Sequence, residues 1–105
     1  MADRFLFDTD ILIQYFRDDP HAVQFLERSD AAFLISTMTV AELYTGARTA
    51  EEVTTIDHFI FGFDVIPVSE DIARRGGLLR QKYHPSHGTG LADALIAATA
   101  LQSKA

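Results

Sequence analysis

Phe5-Leu6-Phe7-Asp8-Thr9-Asp10-Ile11-Leu12-Ile13 is the stretch that decides the fold class. Its first part, read as a strand from Arg4 to Phe7, has no polar alternation, as expected of a strand covered on both faces. Asp8 ends that run. Asp10 is placed to cap a helix from Ile11 to about Arg17. A buried strand passing almost at once into a helix opens a parallel α/β unit. The same order recurs downstream: Phe33 to Ile35 is a second short strand, with a helix from about Met38 to Arg48, and Asp64 to Pro67 is a third strand.

The remaining segments read as helices and one loop. Asp19-Pro20 starts a helix, with Asp19 as cap and Pro20 at its first position, and Val23 and Leu26 inside. Glu51 to Phe61 is helical, with Val53, Ile56 and Ile60 at helical spacing. Ser69 caps a helix reaching about Tyr83, whose inner stripe is Ile72, Gly76, Leu79 and Tyr83. Gly76-Gly77 inside it costs roughly 1 kcal/mol per glycine, and close packing against another backbone is the expected gain. His84 to Gly90 is a loop by its Pro, Gly and Ser content. A last helix runs from about Leu91 to Gln102. Phe59, Phe61 and Phe63 belong to the core, except that at least one must face outward, which makes a partner surface available. Strands separated by helices imply a parallel sheet with right-handed crossovers and a ligand edge at the strands' carboxyl ends.

Composition narrows the class. The chain has 105 residues, 48% of them hydrophobic, which suits one domain with a real core. It lacks the roughly 18 continuous apolar residues of a membrane span. There are no cysteines, which rules out disulfides and thiolate metal sites and suits a reducing cytoplasm. The formal net charge is −6, unpromising for a nucleic-acid binder unless cations offset an acidic cluster. Arg74, Arg75, Arg80 and Lys82 lie close together in sequence, either as a solvated helix face or as a phosphate-contacting edge.

Three carboxylates fall on the ligand edge. Asp8 ends the first strand, Glu42 lies in the helix leaving the second, and Asp93 sits in the first turn of the last helix. Acids entering apolar stretches are costly unless compensated, and a divalent cation is the simplest compensation. Each also has an ordinary explanation. Asp8 could simply terminate a strand. Glu42 could close a capping box with Thr39. Asp93 could answer the helix dipole. Asp10 is best explained as a helix cap, although it could orient water around a metal. His84 and His87 could bind zinc with a carboxylate, but they sit in a stretch that reads as a solvated loop. His21 and His58 read as exposed helical residues.

Three segments carry a family resemblance. Phe7-Asp8-Thr9-Asp10-Ile11-Leu12-Ile13, then Ile35-Ser36-Thr37-Met38-Thr39-Val40-Ala41-Glu42-Leu43-Tyr44-Thr45-Gly46-Ala47, then Leu91-Ala92-Asp93-Ala94-Leu95-Ile96-Ala97-Ala98-Thr99-Ala100 resemble a PIN domain. Within that family the chain is most similar to the VapC-type ribonuclease toxins of prokaryotic toxin–antitoxin pairs. The Thr-x-x-Glu-Leu-x-x-Gly shape of the second segment is the most telling. The resemblance implies a three-layer α/β/α sandwich with a short parallel sheet, and dependence on Mg²⁺ or Mn²⁺. It implies endonucleolytic cleavage of RNA, a homodimer and a small antitoxin protein as inhibitor. It carries Asp8, Glu42 and Asp93 over as metal ligands, with Thr9, Ser36 and Thr37 as candidates to support them. It also implies a further strand after the last helix, so residues 1–105 read as one PIN-like domain truncated at its end.

Two other readings remain open. Asp8-Thr9-Asp10 also fits the Asp-x-Asp start of haloacid-dehalogenase-like phosphatases, with Ile35-Ser36 as their second motif. Such enzymes need a lysine near the phosphate, and neither Lys82 nor Lys104 is convincingly placed. The second is a non-catalytic PIN module that binds its antitoxin.

Overall fold

Phe5 pairs with Phe33 and Phe7 with Ile35, so strands β1 (Arg4–Phe7) and β2 (Ala32–Ser36) run parallel. Strand β3 (Asp64–Ile66) joins β2 on its other side, also parallel, giving the order β1-β2-β3. These pairings come from a computed structural model that describes residues 4–16, 20, 27, 32–87 and 90–104. Five helices accompany the sheet among those residues: α1 (Thr9–Phe16), α2 (Thr37–Thr45), α3 (Ala50–Ile60), α4 (Glu70–His87) and α5 (Leu91–Ser103). None is long and apolar enough to cross a membrane. The helix read from Asp19-Pro20 falls outside the described residues.

The central strand shows why the apolar runs lack alternation. Leu34, Ile35 and Ser36 are all buried, although successive side chains point to opposite faces. Both faces of β2 are therefore covered, and the architecture is the expected layered α/β one. On one face Phe7 and Ile35 form a core with Leu12, Leu43 and Ile56. The ring of Phe7 meets that of Phe33 edge-on at 5.2 Å and that of Phe63 at 5.9 Å. Phe59 lies 4.9 Å from Phe63, whereas Phe61 is 87% exposed. One of the three phenylalanines does face outward.

Strands pass into helices with almost no connection. Ser36 ends β2 with φ −78° and ψ 149°, and its hydroxyl accepts the Met38 N–H as the cap of α2. One extended conformation thus serves both strand end and helix cap. Ser36→Ala should cost about 1 kcal/mol of stability, read as an earlier thermal midpoint. A variant that melts like the parent would show that the cap is dispensable. Ser69 caps α4 as expected, accepting the Ile72 N–H at 3.2 Å.

Three boundaries differ from the sequence reading. Helix α1 starts at Thr9, because Asp8 rather than Asp10 caps it: Ile11 N–H donates to Asp8 Oδ1 at 3.0 Å. Helix α2 ends at Thr45, where Gly46 caps it. Helix α4 continues to His87, so most of the His84–Gly90 loop is helical backbone. Pro85 thus falls inside the helix, where it has no backbone N–H to give.

The glycine pair of α4 divides. A Cβ on Gly76 would lie 2.6 Å from Leu95 Cδ2 and 3.1 Å from Leu95 Cα, whereas one on Gly77 meets nothing within 4 Å. Close packing accounts for Gly76, against the second turn of α5. It does not account for Gly77.

Candidate active site

Parallel pairing puts the ends of β1 and β2 on one edge. Since Phe7 is level with Ile35, Asp8 stands level with the cap residue Ser36. Asp8 is exposed, and its carboxylate both ends the strand and caps α1. Helix α1 packs against α2, and this brings Glu42 to the turn that Asp8 begins. The Thr9 hydroxyl donates to Glu42 Oε1 at 2.5 Å.

That contact removes the capping-box explanation of Glu42. Helix α2 is capped by Ser36, so Glu42 lies in its second turn, too far along to reach back to the cap. Its partner is instead a residue of another helix, and its side chain is half-buried. Thr39, read as the box's cap, is wholly buried on the same helix, with its oxygen 3.5 Å from that of Thr9. Sequence reasoning missed it. The signal was there, because Thr39 precedes Leu43 by one turn and so puts a hydroxyl on the inner stripe.

Asp93 occupies the first turn of α5, which Gly90 precedes in extended conformation without a side-chain cap. Its side chain is exposed. Leu95, two residues on, is the residue that packs on Gly76 in the second turn of α4. Helix α5 also touches α2, which carries Glu42. Among the described residues, no three Asp, Glu or His side chains converge closely enough to hold an ion as they stand. The donor chemistry nevertheless fits a hard dication, since carboxylates and hydroxyls offer only oxygen.

The other candidates are distributed as follows. Asp10 is exposed in the first turn of α1, where its charge suits the helix dipole. The Ser36 hydroxyl is committed to its cap. Thr37 Oγ1 accepts the Val68 N–H at 3.0 Å, tying the start of α2 to the segment after β3. On α4, Arg74, Arg75 and Lys82 are exposed and Arg80 is half-buried. At 3.6 residues per turn, the three exposed cations share an arc of about 100°, and Arg80 lies outside it. Lys82 Nζ stands 5.3 Å from the Tyr83 ring. His58 is exposed as expected. His21 and the side chains of His84 and His87 lie outside the described residues.

A cleft of about 370 Å³ opens beside Glu42, between α1, α2 and α3. Ile13, Leu43, Ala47 and Ile56 make its apolar lining, and Arg48 and Glu52 also border it. The two are joined: Arg48 N–H donates to Glu52 Oε2 at 2.5 Å, and the guanidinium lies 3.4 Å from Oε1. The Arg48 amide, more than its guanidinium charge, holds the Glu52 carboxyl below its usual pKa. Across the α2–α3 contact, the Tyr44 hydroxyl donates to Asp57, which raises the phenol's pKa.

The class these features define is a small parallel α/β domain presenting oxygen donors at the carboxyl edge of its sheet. Comparison with known proteins narrows it. The family model described as PIN domain matches residues 5–105. Ribonuclease VapC10 of Mycobacterium tuberculosis is 42% identical over 98 residues, covering 90% of this chain and 73% of that protein. Ribonuclease VapC19 of the same organism is 35% identical over 100 residues, covering 91% and 79%. A toxin–antitoxin complex from Klebsiella pneumoniae contains a chain that superposes with a TM-score of 0.80 at 36% identity, covering 94% of this chain and 79% of that one. The chain belongs to the PIN-domain family, among the VapC ribonucleases.

Proposed function

We propose that this chain is the toxin of a toxin–antitoxin pair and hydrolyses RNA phosphodiester bonds with the help of Mg²⁺ or Mn²⁺. The observation that carries the reading is the Thr9–Glu42 contact. It brings a half-buried carboxylate from α2 to the strand end where Asp8 stands, on a chain whose relatives are ribonucleases. Asp8, Glu42 and Asp93 would hold the cation. When bound, it would neutralise charge developing on the phosphoryl oxygens and make water a stronger nucleophile. The protein's own part is positional: Asp8 is fixed by capping α1, Glu42 by Thr9, and Asp93 by the seating of α5 on Gly76. The chain has no cysteine, so a cysteine nucleophile has no part in the reading.

Arg74, Arg75 and Lys82 form the candidate RNA-contacting face, and Arg80, also read as a candidate, lies on the other side of the helix. The antitoxin partner rests on the toxin–antitoxin complex among the structural relatives. The apolar cleft beside Glu42 offers a surface where a partner segment would lie next to the site. A homodimer and a cytoplasmic location complete the reading.

The test is cleavage of structured RNA by purified protein freed of antitoxin. Cleavage should require added Mg²⁺ or Mn²⁺ and stop on chelation with EDTA. Cleavage that is indifferent to EDTA would remove the metal from the reading. Absence of cleavage with antitoxin binding intact would favour a binding module.

A further inference from the structure

Arg48 lies in the connection between α2 and α3, just before Thr49, whose hydroxyl accepts the Glu52 N–H as cap of α3. Its backbone and its side chain are committed differently. The Arg48 N–H donates to Glu52 Oε2 at 2.5 Å, and this backbone bond ties the connection to the first turn of α3. The guanidinium meets Glu52 through one nitrogen at 3.4 Å, and the side chain is 85% exposed. An ion pair so exposed is worth little, so the guanidinium can exchange Glu52 for another anion. It carries five N–H donors and suits phosphate oxygens, which it can take two at a time.

The place of Arg48 gives those donors a use. Arg48 and Glu42 border the same cleft, and Arg48 is the one cation among the described residues that line it. The exposed cations of α4 belong to another part of the site, since α4 packs on α5, the carrier of Asp93. We propose that Arg48 binds RNA, its guanidinium taking a backbone phosphate that flanks the bond cut beside Glu42. This deepens the nuclease reading and rests on it. The phosphate that Arg48 takes is not the one that reacts. Loss of the contact should therefore raise KM and leave kcat near the parent's.

The test is binding of a fluorescent single-stranded oligoribonucleotide, followed by anisotropy over a range of KCl concentrations. All variants are built on Asp8→Asn, with Mg²⁺ present, so that binding is read without cleavage. Arg48→Gln should weaken binding roughly tenfold at low salt, as expected for one charge-assisted contact. The slope of log affinity against log salt should become shallower by about 0.7, the share of one phosphate on a single strand. Arg48→Lys, which keeps the charge, should keep the slope. Lys104→Gln removes the same charge at the far end of α5 from Asp93, and should bind close to the parent. All should melt near the parent, because the Arg48 N–H remains to hold Glu52. A residue serving only the Glu52 pair would move the melting point and leave RNA binding alone. RNA binding by Arg48→Gln that matches Lys104→Gln overturns the proposal and leaves the nuclease reading standing. Weaker retention of a co-expressed antitoxin by that variant would then assign the guanidinium to the protein partner. If the Asp8→Asn protein itself binds no RNA, the RNA reading falls and the role of Arg48 with it.

Discussion

Asp8→Asn should abolish RNA cleavage while leaving the fold in place. The structure gives Asp8 two jobs, and asparagine separates them. As cap of α1, Asp8 needs only an oxygen that accepts the Ile11 N–H, and asparagine ranks with aspartate at that position. As a cation ligand it needs its negative charge. Activity should fall by more than about a hundredfold, since even groups that merely orient ligands cost 10- to 100-fold. Asp8→Ala should lose the same activity and, in addition, about 1 kcal/mol of stability with the cap. Cleavage assays with Mg²⁺ beside thermal melts of both variants make the comparison. An asparagine variant that still cuts RNA at the parent's rate would exclude Asp8 from the chemistry. It would also reopen the question of whether the strand-end acid is only a cap.

The second large effect lies in the glycine pair of α4, where neighbouring identical substitutions should act in opposite directions. In Gly77→Ala the new methyl group meets nothing within 4 Å. It should stabilise the protein by roughly 0.5–1 kcal/mol through helix propensity. In Gly76→Ala the methyl group is driven against Leu95, with Cα at 3.1 Å as well as the side chain. Overpacking of this kind costs roughly 1–3 kcal/mol, enough to outweigh the propensity gain. At roughly 4–8 °C per kcal/mol for a domain near this size, the two melting points should lie several degrees on either side of the parent. If Gly76→Ala melts as high as Gly77→Ala, the α4–α5 contact is looser than described. Since Leu95 follows Asp93 by two residues, a shifted α5 should also move Asp93, and Gly76→Ala should lose cleavage as well as stability.

The strands were legible because burial on both faces removes alternation, leaving Phe5-Leu6-Phe7 and Phe33-Leu34-Ile35 as unbroken apolar runs. Helices α3 and α5 were legible to within a residue or two of their ends, because helical spacing and capping residues are local. The closeness of Gly76 to another backbone was also legible, since a glycine in a helix interior needs a reason. What could not be read was the choice between equally good local signals. Asp8 and Asp10 are both competent caps, and the strand's exit decided for Asp8. Ser36 and Thr39 are both competent caps of α2, and the strand end decided for Ser36. That decision left Glu42 without its box and put Thr39 into the interior.

By itself, then, the sequence determined the parallel α/β class, the order of its described strands and helices, and the edge on which Asp8 and Glu42 had to fall. These follow from periodicities and end signals that operate within a few residues. The tertiary structure decided what each acid touches. The contact of Thr9 with Glu42 exists because α1 lies on α2, and the seat of Leu95 on Gly76 exists because α5 lies on α4. Such contacts join residues far apart in the chain. They are set by the geometry of packed helices, which no local pattern encodes.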